Sequence, residues 1–464
     1  MSTHTSERRE LSKAIWRLAW PIAGSNFLAR AANIVDTAMI GRLTATALAG
    51  FGIAEIPVFL ALAVQRGLGI GGQILIAYHT GAGDPEQRLK VARAVNAICF
   101  LVSLGMGVVF WLLSPVMCEF MGASGDALYQ ALAYLRIYYL TLVFSGVFFV
   151  FSAIFQGVGD SRTPLFVTLG VNLLHVLISW TLIYGHFGAP ALGVMGAAIG
   201  LGASEAVGAV ILGVIAIRRG LWAWGFRGIS LRAAKAVWGL GSPTAAERLI
   251  VTLMQGVYYR FLIGFGTAAI AAHRIGIDIE AFSFLPALGF GQAATTMVGQ
   301  RLGAGDPKGA RQAGWITTWM SVGFMGILGA SFYLFANQWI SIFTTDPAVH
   351  ALGVKLCTVT AAIQIPMAFS MVLAGALRGA GETRWVMMTP ILGGWIVRLP
   401  LSYWLGYVRG FGLLGIWWTM MADWVIRSIA IGWKFTTLTF RFHGDEKLTA
   451  SQTRIVEDPG DLGG

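Results

Sequence analysis

The sequence predicts an all-α integral membrane protein, with twelve transmembrane helices in two parallel six-helix repeats around a central cavity. Three observations lead to this fold: the composition, the length of the apolar segments and an internal duplication. Hydrophobic residues make up 56% of the 464 residues and charged residues only 12%, whereas a soluble domain carries about 25% charged residues. The composition therefore places most of the chain in a lipid bilayer.

Twelve apolar segments follow one another along the chain, and each is long enough to cross a hydrocarbon core of ~30 Å as a helix. Their approximate ranges are 14–40, 46–78, 92–114, 131–155, 164–184, 191–217, 235–264, 269–299, 312–335, 350–376, 385–407 and 412–436. A polar connection divides them six and six. We therefore expect an N-lobe at 11–217, a cytoplasmic linker at 218–234, a C-lobe at 235–436 and a polar, disordered cytoplasmic tail at 437–464.

The positive charges lie on one side of the predicted bundle. If the N-terminus is cytoplasmic, the opposite side carries only Arg42 and Arg409 between spans, whereas the cytoplasmic connections carry most of the 33 Lys and Arg residues. Positive residues favour the cytoplasmic side of membrane proteins. This bias predicts a multi-pass protein of the cell inner (plasma) membrane with both termini in the cytoplasm. It also accounts for the net charge of +11 without a nucleic-acid partner.

The two halves of the chain repeat each other at a single offset of 222 residues. The sequence Gly-Ala-Gly-Asp-Pro at 81–85 recurs at 303–307, and the loop at 156–162 is answered by the loop at 378–384. Six spans per repeat is an even number, so both repeats have the same orientation, and a cavity is expected between them. Neither loop has the Gly-Lys-Ser/Thr of a phosphate-binding loop, so ATP-driven transport is not favoured.

One carboxylate stands out in the first span. Asp36 is the only acidic residue between Glu10 and Glu55, and a carboxylate within a membrane segment indicates a functional site by default. Asn33 lies three residues earlier, on the same helix face. Burial favours the neutral form of a carboxyl group, so such a residue can bind and release a proton. The alternative is a structural carboxylate that pairs helices through Asn33 or Asn172.

Several of these segments together resemble the multidrug and toxic compound extrusion (MATE) family. They are Val-Asp-Thr-Ala-Met-Ile-Gly at 35–41, the two Gly-Ala-Gly-Asp loops, and Leu-Arg-Gly-Ala-Gly-Glu-Thr-Arg at 377–384. The resemblance covers about residues 11–436. It implies a cation-driven antiporter, not an enzyme, that alternates between outward-open and inward-open states. Such proteins export organic, often cationic, compounds in exchange for protons or sodium.

The resemblance also implies roles for individual residues. Asp36 matches the first-span acid of the family, and Asn172 matches an asparagine of the N-lobe cation site. The second acid that some members carry there falls at Val176, beside His175. Two C-lobe acids of norfloxacin-exporter-like members fall at Val251 and Met367. The resemblance therefore favours coupling through Asp36, with Asn33 and Asn172 beside it, and a proton over sodium.

The C-lobe has acids of its own. Glu247, Glu280 and Asp278 are candidates to line the cavity, but a structural ion pair of Glu247 with Arg274 or Arg260 is an equal alternative. His175 is a further cavity candidate, although it also fits a structural partner, as do Glu205, Asp423 and Arg427. Arg398 is expected to be structural. Met367, with the aromatic residues Phe282, Phe284 and Phe369, is a candidate for an adaptable apolar surface that binds flat organic cations.

The remaining expectations concern partners and competing functions. Cys99, Cys118 and Cys357 are scattered, so we expect no metal site, disulfide framework or cofactor. The expected partners are a small organic substrate and membrane lipid, and the protein is expected to be a monomer. Alternatives are a sodium-coupled exporter, a flippase for a lipid-linked saccharide, and a non-transporting receptor or channel.

Overall fold

The computed structural model describes residues 2–222 and 230–442, with side chains from residue 8 onward. This part of the chain consists of helices and their connections, without β-strands. The predicted linker at 218–234 and tail at 437–464 fall partly at 223–229 and 443–464, outside the described residues. The all-α fold predicted from the sequence is confirmed.

Six long helices form the first half, which we call the N-lobe. A single turn of 3-10 helix (His186–Gly188) follows the fifth of them. The six helices are α1 (Ser2–Ile40), α2 (Ala45–Gly81), α3 (Pro85–Phe120), α4 (Gly125–Val158), α5 (Arg162–Tyr184) and α6 (Val194–Arg218).

The second half, the C-lobe, repeats this arrangement with two irregularities. A short helix follows its third span, and its fifth span is a continuous helical run from Thr383 to Val408 that contains two π-helical segments, Ile391–Arg398 and Trp404–Val408. The helices are α7 (Leu231–Ile263), α8 (Thr267–Gly303), α9 (Pro307–Leu334), α10 (Ala336–Ser341), α11 (Pro347–Gly379), α12 (Thr383–Pro390), α13 (Leu399–Tyr403) and α14 (Gly412–Thr437).

The number of crossings agrees with the sequence prediction. Each of the twelve apolar segments corresponds to one of the long helices or to the run from Thr383 to Val408. Seven of the described helices are long and apolar enough on their own to cross a membrane: α2 to α6, α9 and α11. The protein is therefore a multi-pass membrane protein.

The repeated loops end one helix and begin the next. Asp84 and Asp306 are the N-caps of α3 and α9, where their carboxylates accept hydrogen bonds from the backbone N–H of Gln87 and Gly309. Pro85 and Pro307 then occupy the first helical turn, where proline is tolerated because no intrahelical N–H bond is lost.

The two lobes meet about a pseudo-twofold axis between α2 and α8. A Cβ atom on Gly81 would collide with the backbone of Gln300, and one on Gly303 would collide with the backbone of Tyr78. These two contacts are related by the offset of 222, so each lobe presents the same surface to the other. Only glycine allows the helix ends to approach this closely.

Polar side chains hold the lobes together on the side of the bundle where α1 begins, which we call the terminal face. Gln73 Nε2 donates to Thr296 Oγ1 at 3.0 Å, and Thr296 Oγ1 donates to the carbonyl of Gln156 at 3.0 Å. Gln300 Nε2 donates to the carbonyl of Gly157 at 3.0 Å. The lobes are therefore closed against each other at the terminal face.

Candidate functional site

A cavity of about 350 Å³ lies against the N-lobe, within the size range of small-molecule sites. Most of its wall comes from α1, α2, α4, α5 and α6. The C-lobe contributes Arg248 from α7 and Leu285, Leu288 and Gln292 from α8. The wall combines ionisable groups with aromatic side chains, which suits an organic molecule that carries charge.

Asp36 lies in the wall of this cavity, with 4% of its surface exposed. Its Oδ2 is 3.1 Å from His175 Nε2 of α5, whereas its Oδ1 has no hydrogen-bond partner. The structure thus pairs Asp36 with His175 rather than with Asn33 or Asn172, which corrects the alternative considered from the sequence. The second carboxylate oxygen is therefore buried in the cavity wall without a protein partner.

The two predicted neighbours of Asp36, and the cavity candidate His175, also line the cavity. Asn33 Nδ2 donates to Glu55 Oε1 at 3.1 Å, and Asn172 Nδ2 has no partner. Asn172 and His175 are three residues apart in α5 and therefore share a helix face. The side chains of Asn33, Asp36, Asn172 and His175 are thus brought to one cavity from two helices.

The sequence reasoning missed other charged residues of the cavity. Glu55 and Arg66 of α2 and Arg248 of α7 were not selected, and Glu205 of α6 was treated as a structural partner. The rule that singled out Asp36, a charge within an apolar span, applies equally to all four. It could have found them, but it could not have shown that they converge.

The chain matches the family model MatE twice, at residues 21–181 and 243–404. The two matches begin 222 residues apart, the offset of the internal duplication. They cover well over half of the chain.

The chain belongs to the MatE family.

Among its relatives, the probable multidrug resistance protein NorM of Thermotoga maritima is 31% identical over 428 residues, which cover 90% of this chain and 91% of that protein. The multidrug resistance protein PmpM of Pseudomonas aeruginosa is 28% identical over 432 residues, which cover 88% of each chain. The Vibrio cholerae MATE transporter VcmN in its bent form superimposes with a TM-score of 0.84 at 21% identity, over 93% of this chain and 97% of that chain. The predicted membership of the MATE transporters is therefore confirmed, and the fold agrees with it.

The C-lobe candidates of this MATE transporter do not line the cavity. Both oxygens of Glu247 accept hydrogen bonds from Arg378 Nη2, at 2.7 and 2.8 Å. The predicted ion pair of Glu247 with Arg274 or Arg260 is therefore wrong. Glu247 pairs with Arg378 instead. Asp278 lies 3.2 Å from Arg30 Nη2 and 3.4 Å from Arg274 Nε, so it joins the two lobes instead.

Two further predictions fail for the same lobe. Met367 is fully buried in the apolar core of the C-lobe, so it does not contribute to an adaptable cavity surface. Glu280 is buried in α8, where the charge of Arg398 acts on it, and it is not part of the cavity wall. The burial of both side chains depends on how the helices of the C-lobe pack together. The spacing of residues along one helix does not reveal that packing.

A cluster of charged residues fills the corresponding part of the C-lobe. Asp423 accepts hydrogen bonds from Arg427 Nε at 2.5 Å and from Arg427 Nη2 at 2.8 Å. Arg398 Nη1 lies 3.8 Å from Asp423 Oδ2, and the Arg398 guanidinium sits 4.1 Å above the ring centre of Tyr258. The cluster carries its own cations, so its carboxylate is already neutralised, as expected for structural residues.

Proposed function

We propose that this MATE transporter is a proton-driven antiporter, which exports small organic compounds with a positive charge through the N-lobe cavity. The observation that carries the proposal is the position of Asp36. It is a buried carboxylate in the cavity wall, it faces His175 on one side, and its other oxygen has no protein partner. The names of the relatives, multidrug resistance proteins, support the export of drug-like molecules.

Exchange follows if the proton and the substrate compete for Asp36. A protonated carboxyl group cannot balance the charge of a cationic substrate, whereas the ionised group can. Protonation therefore weakens substrate binding, and substrate binding releases the proton, because the two effects are thermodynamically linked. Each lobe arrangement must favour one of the two ligands, so that proton entry is coupled to substrate exit.

The surroundings of Asp36 favour a proton over sodium. Sodium is a hard cation that needs a shell of oxygen ligands, as calcium and magnesium do. Asp36 Oδ2 lies 3.1 Å from a histidine nitrogen, and the position one turn after Asn172 is Val176. A carboxylate beside an imidazole suits the transfer of a proton, since imidazole is a common proton shuttle in proteins.

In this structure the terminal face is closed, so the cavity is separated from the side of the bundle where α1 begins. With the predicted orientation, that side is the cytoplasm. The hydrogen bonds from Gln73, Thr296 and Gln300 then form the closed cytoplasmic gate, which must open for the substrate to enter. Alternation of the two lobes about the pseudo-twofold axis fits such a rocking movement.

The test is a gradient-jump experiment with the purified full chain in liposomes loaded with a fluorescent organic cation. We expect efflux of the cation when the outside is made acidic, and no acceleration when sodium is added outside at constant pH. Efflux driven by sodium alone would contradict proton coupling. Passive leak of the dye without either gradient would contradict antiport altogether and indicate a channel.

A further inference from the structure

We propose that a groove on the lipid-facing surface of the C-lobe binds a phospholipid with a net negative headgroup, of the phosphatidylglycerol type, and that Arg311 and Lys308 of α9 hold its phosphate. The groove has a volume of about 450 Å³ and lies between α9, α11 and α14. None of its lining residues belongs to the wall of the N-lobe cavity. The inference therefore goes beyond the proposed export function and does not depend on it.

Gly432 opens the groove. Trp315 of α9 and Phe369 of α11, whose ring centroids are 5.8 Å apart, form part of the wall, and α14 forms the rest. A Cβ atom on Gly432 would lie 3.1 Å from Cε1 of Phe369, so a larger side chain at this position would enter the space above that ring. At the offset of 222, the N-lobe has the exposed Val210 in place of Gly432. The N-lobe therefore carries a branched side chain where the C-lobe has the groove.

The interior of the groove is mostly apolar. Its wall contains two hydroxyl groups, and both are bonded to backbone: Ser428 Oγ donates to the carbonyl of Pro366 at 2.6 Å, and Thr436 Oγ1 donates to the carbonyl of Trp433 at 2.8 Å. Apart from Gly432, the rest of the wall is aromatic or aliphatic. Ser428 and Thr436 are eight residues apart in α14, which is about 12 Å along the helix axis. An acyl chain fills such a groove by dispersion contacts.

Positive charge lies at one end of the groove. Arg311 Nη2 donates to the carbonyl of Thr436 at 3.2 Å, and Thr436 lines the groove in the last turn of α14. Arg311 also lies four residues before Trp315 in α9, so the two side chains share a helix face. Lys308 is exposed and lies three residues before Arg311, on the same face. Both cations therefore lie at the terminal face, where the groove ends.

The two cations are available to a ligand. Among the ion pairs of the described residues, none includes Lys308 or Arg311, whereas Lys434 of α14 pairs with Glu382 at 3.1 Å. Basic pockets between membrane helices bind the headgroups of anionic lipids, and the planar guanidinium group suits a phosphate. With the predicted orientation, the terminal face lies at the cytoplasmic leaflet, whose surface potential is negative because it holds anionic lipids.

The charges favour an anionic lipid over the other occupants that the groove could take. Phosphatidylcholine carries a cation beside its phosphate, so it would bring a positive charge close to Arg311. A second copy of this chain, docked groove to groove, would bring the same cations together, because both sides of a twofold interface are identical. A lipid with its acyl chain in the groove and a net negative headgroup matches both the apolar interior and the basic end.

The test compares phosphatidylglycerol and phosphatidylcholine with the same acyl chains, whose dissociation constants from the purified full chain are measured in detergent by native mass spectrometry. We expect phosphatidylglycerol to bind roughly tenfold more tightly, because two basic residues attract its headgroup. Arg311→Gln should lower the affinity for phosphatidylglycerol roughly fivefold and leave that for phosphatidylcholine unchanged. Arg162→Gln, which changes an exposed arginine at the terminal face of the N-lobe, is the matched control and should alter neither affinity. Gly432→Val, which copies Val210, should weaken the binding of both lipids.

Three results would overturn the inference. Equal affinities of the unsubstituted chain for the two lipids would show that the groove does not select an anionic headgroup. A preference for phosphatidylglycerol that Arg311→Gln leaves intact would place the anionic lipid elsewhere. A dimer that Gly432→Val dissociates would show that a second copy of the chain occupies the groove. If Gly432→Val does not fold, Arg311→Gln and its control Arg162→Gln decide the question.

Discussion

The N-lobe cavity and the C-lobe charged cluster occupy equivalent places in the two repeats, yet they are built differently. At the offset of 222, the acid Asp36 has become Tyr258, and the acid Glu205 has become Arg427. In the N-lobe, carboxylates line an open space, whereas in the C-lobe guanidinium groups fill the equivalent space. Three other positions of the two sites are related by this offset: Val176 and Arg398, Leu201 and Asp423, and Asn172 and Gly394.

The C-lobe can hold two arginines because its fifth span makes room for them. Gly393 and Gly394 lie in the π-helical segment Ile391–Arg398 and pack directly against Asp423 and Arg427. Any side chain at these glycines would displace the ion pair. In α5 of the N-lobe, a regular helix, Asn172 stands at the place of Gly394 and lines the cavity.

The same fold thus has a different role in each lobe. In the C-lobe cluster, Arg398 and Arg427 are permanent cations that neutralise Asp423. The cluster therefore needs no mobile cation and acts as a structural element. The N-lobe keeps the acids and lacks the arginines at these positions, so under the proposed function a proton or a cationic substrate neutralises Asp36. The proposed function places coupling in one lobe, although the two halves repeat each other in sequence.

The largest expected effect is the loss of coupled export in Asp36→Asn. The asparagine keeps the size of the side chain but can neither release a proton nor balance a cation. Dye efflux driven by a pH jump should fall to the level of empty liposomes. Tyr258→Phe, at the equivalent position of the C-lobe, should retain efflux close to that of the unsubstituted chain, because it keeps the ring beneath Arg398 and removes only a hydroxyl that lies outside the cavity.

The next effect is on stability and belongs to the other lobe. Asp423→Asn removes the carboxylate that neutralises Arg427, which leaves a buried charge without its partner. Such a change costs about 3–5 kcal/mol, so thermal unfolding in detergent should show a clearly lower Tm. Asp36→Asn is the matched control, and its Tm should change little. A reversal, with Asp36→Asn the less stable variant, would contradict the division of roles.

A smaller effect is expected for Glu205→Gln in the cavity. The substitution removes one negative charge that faces the substrate, and an interaction of a charged group is worth about 1.5–3 kcal/mol. Binding of an organic cation should weaken roughly tenfold, as measured by anisotropy, without a loss of Tm. Arg427→Gln, at the equivalent C-lobe position, should instead lower the Tm and leave cation binding unchanged.

The smallest effect concerns a feature that both lobes kept. Asp160, in the loop before α5, is partly buried, which tends to raise its pKa. Hydrogen bonds from Thr163 and the ion pair with Arg219 outweigh this burial, so the pKa lies below the ordinary value of 3.8. Because the folded-state pKa is lowered, the stabilisation is present at neutral pH and is lost as the pH falls through that lowered value.

Asp160→Ala should therefore cost about 1 kcal/mol at pH 7, the usual value for a helix cap, and the difference from the unsubstituted chain should shrink in acid. Thermal unfolding at several pH values measures it. Glu382 is the equivalent residue of the C-lobe and pairs with Lys434 at 3.1 Å, so Glu382→Ala should behave similarly. A cost that is constant down to pH 3 would show that the carboxylate charge is irrelevant.

Much of the fold could be predicted, because membrane spans are long, apolar and bounded by charges. The twelve segments, the duplication and the helix caps at Asp84 and Asp306 follow from local sequence. The expected ion partner of Glu247 was wrong because its true partner, Arg378, lies 131 residues away on another helix. No spacing within α7 contains that information.

The candidate site, like the fold, was predicted only in part from the sequence. The costly position of Asp36 in an apolar span is visible in the sequence, and Asn172 followed from the family resemblance. The partnership of Asp36 with His175 depends on how α1 faces α5, which only the packed structure shows. Met367 was misplaced because a methionine in a span packs equally well in a core and in a cavity wall.

The most direct test of coupling through the N-lobe is proton release on substrate binding. Purified full-length protein in weakly buffered detergent solution is mixed with a permanently charged organic cation, and the pH change is recorded with an indicator dye. We expect proton release by the unsubstituted chain and by Tyr258→Phe, and none by Asp36→Asn, with no dependence on sodium. Undiminished release by Asp36→Asn, at matched substrate binding, would contradict coupling through Asp36.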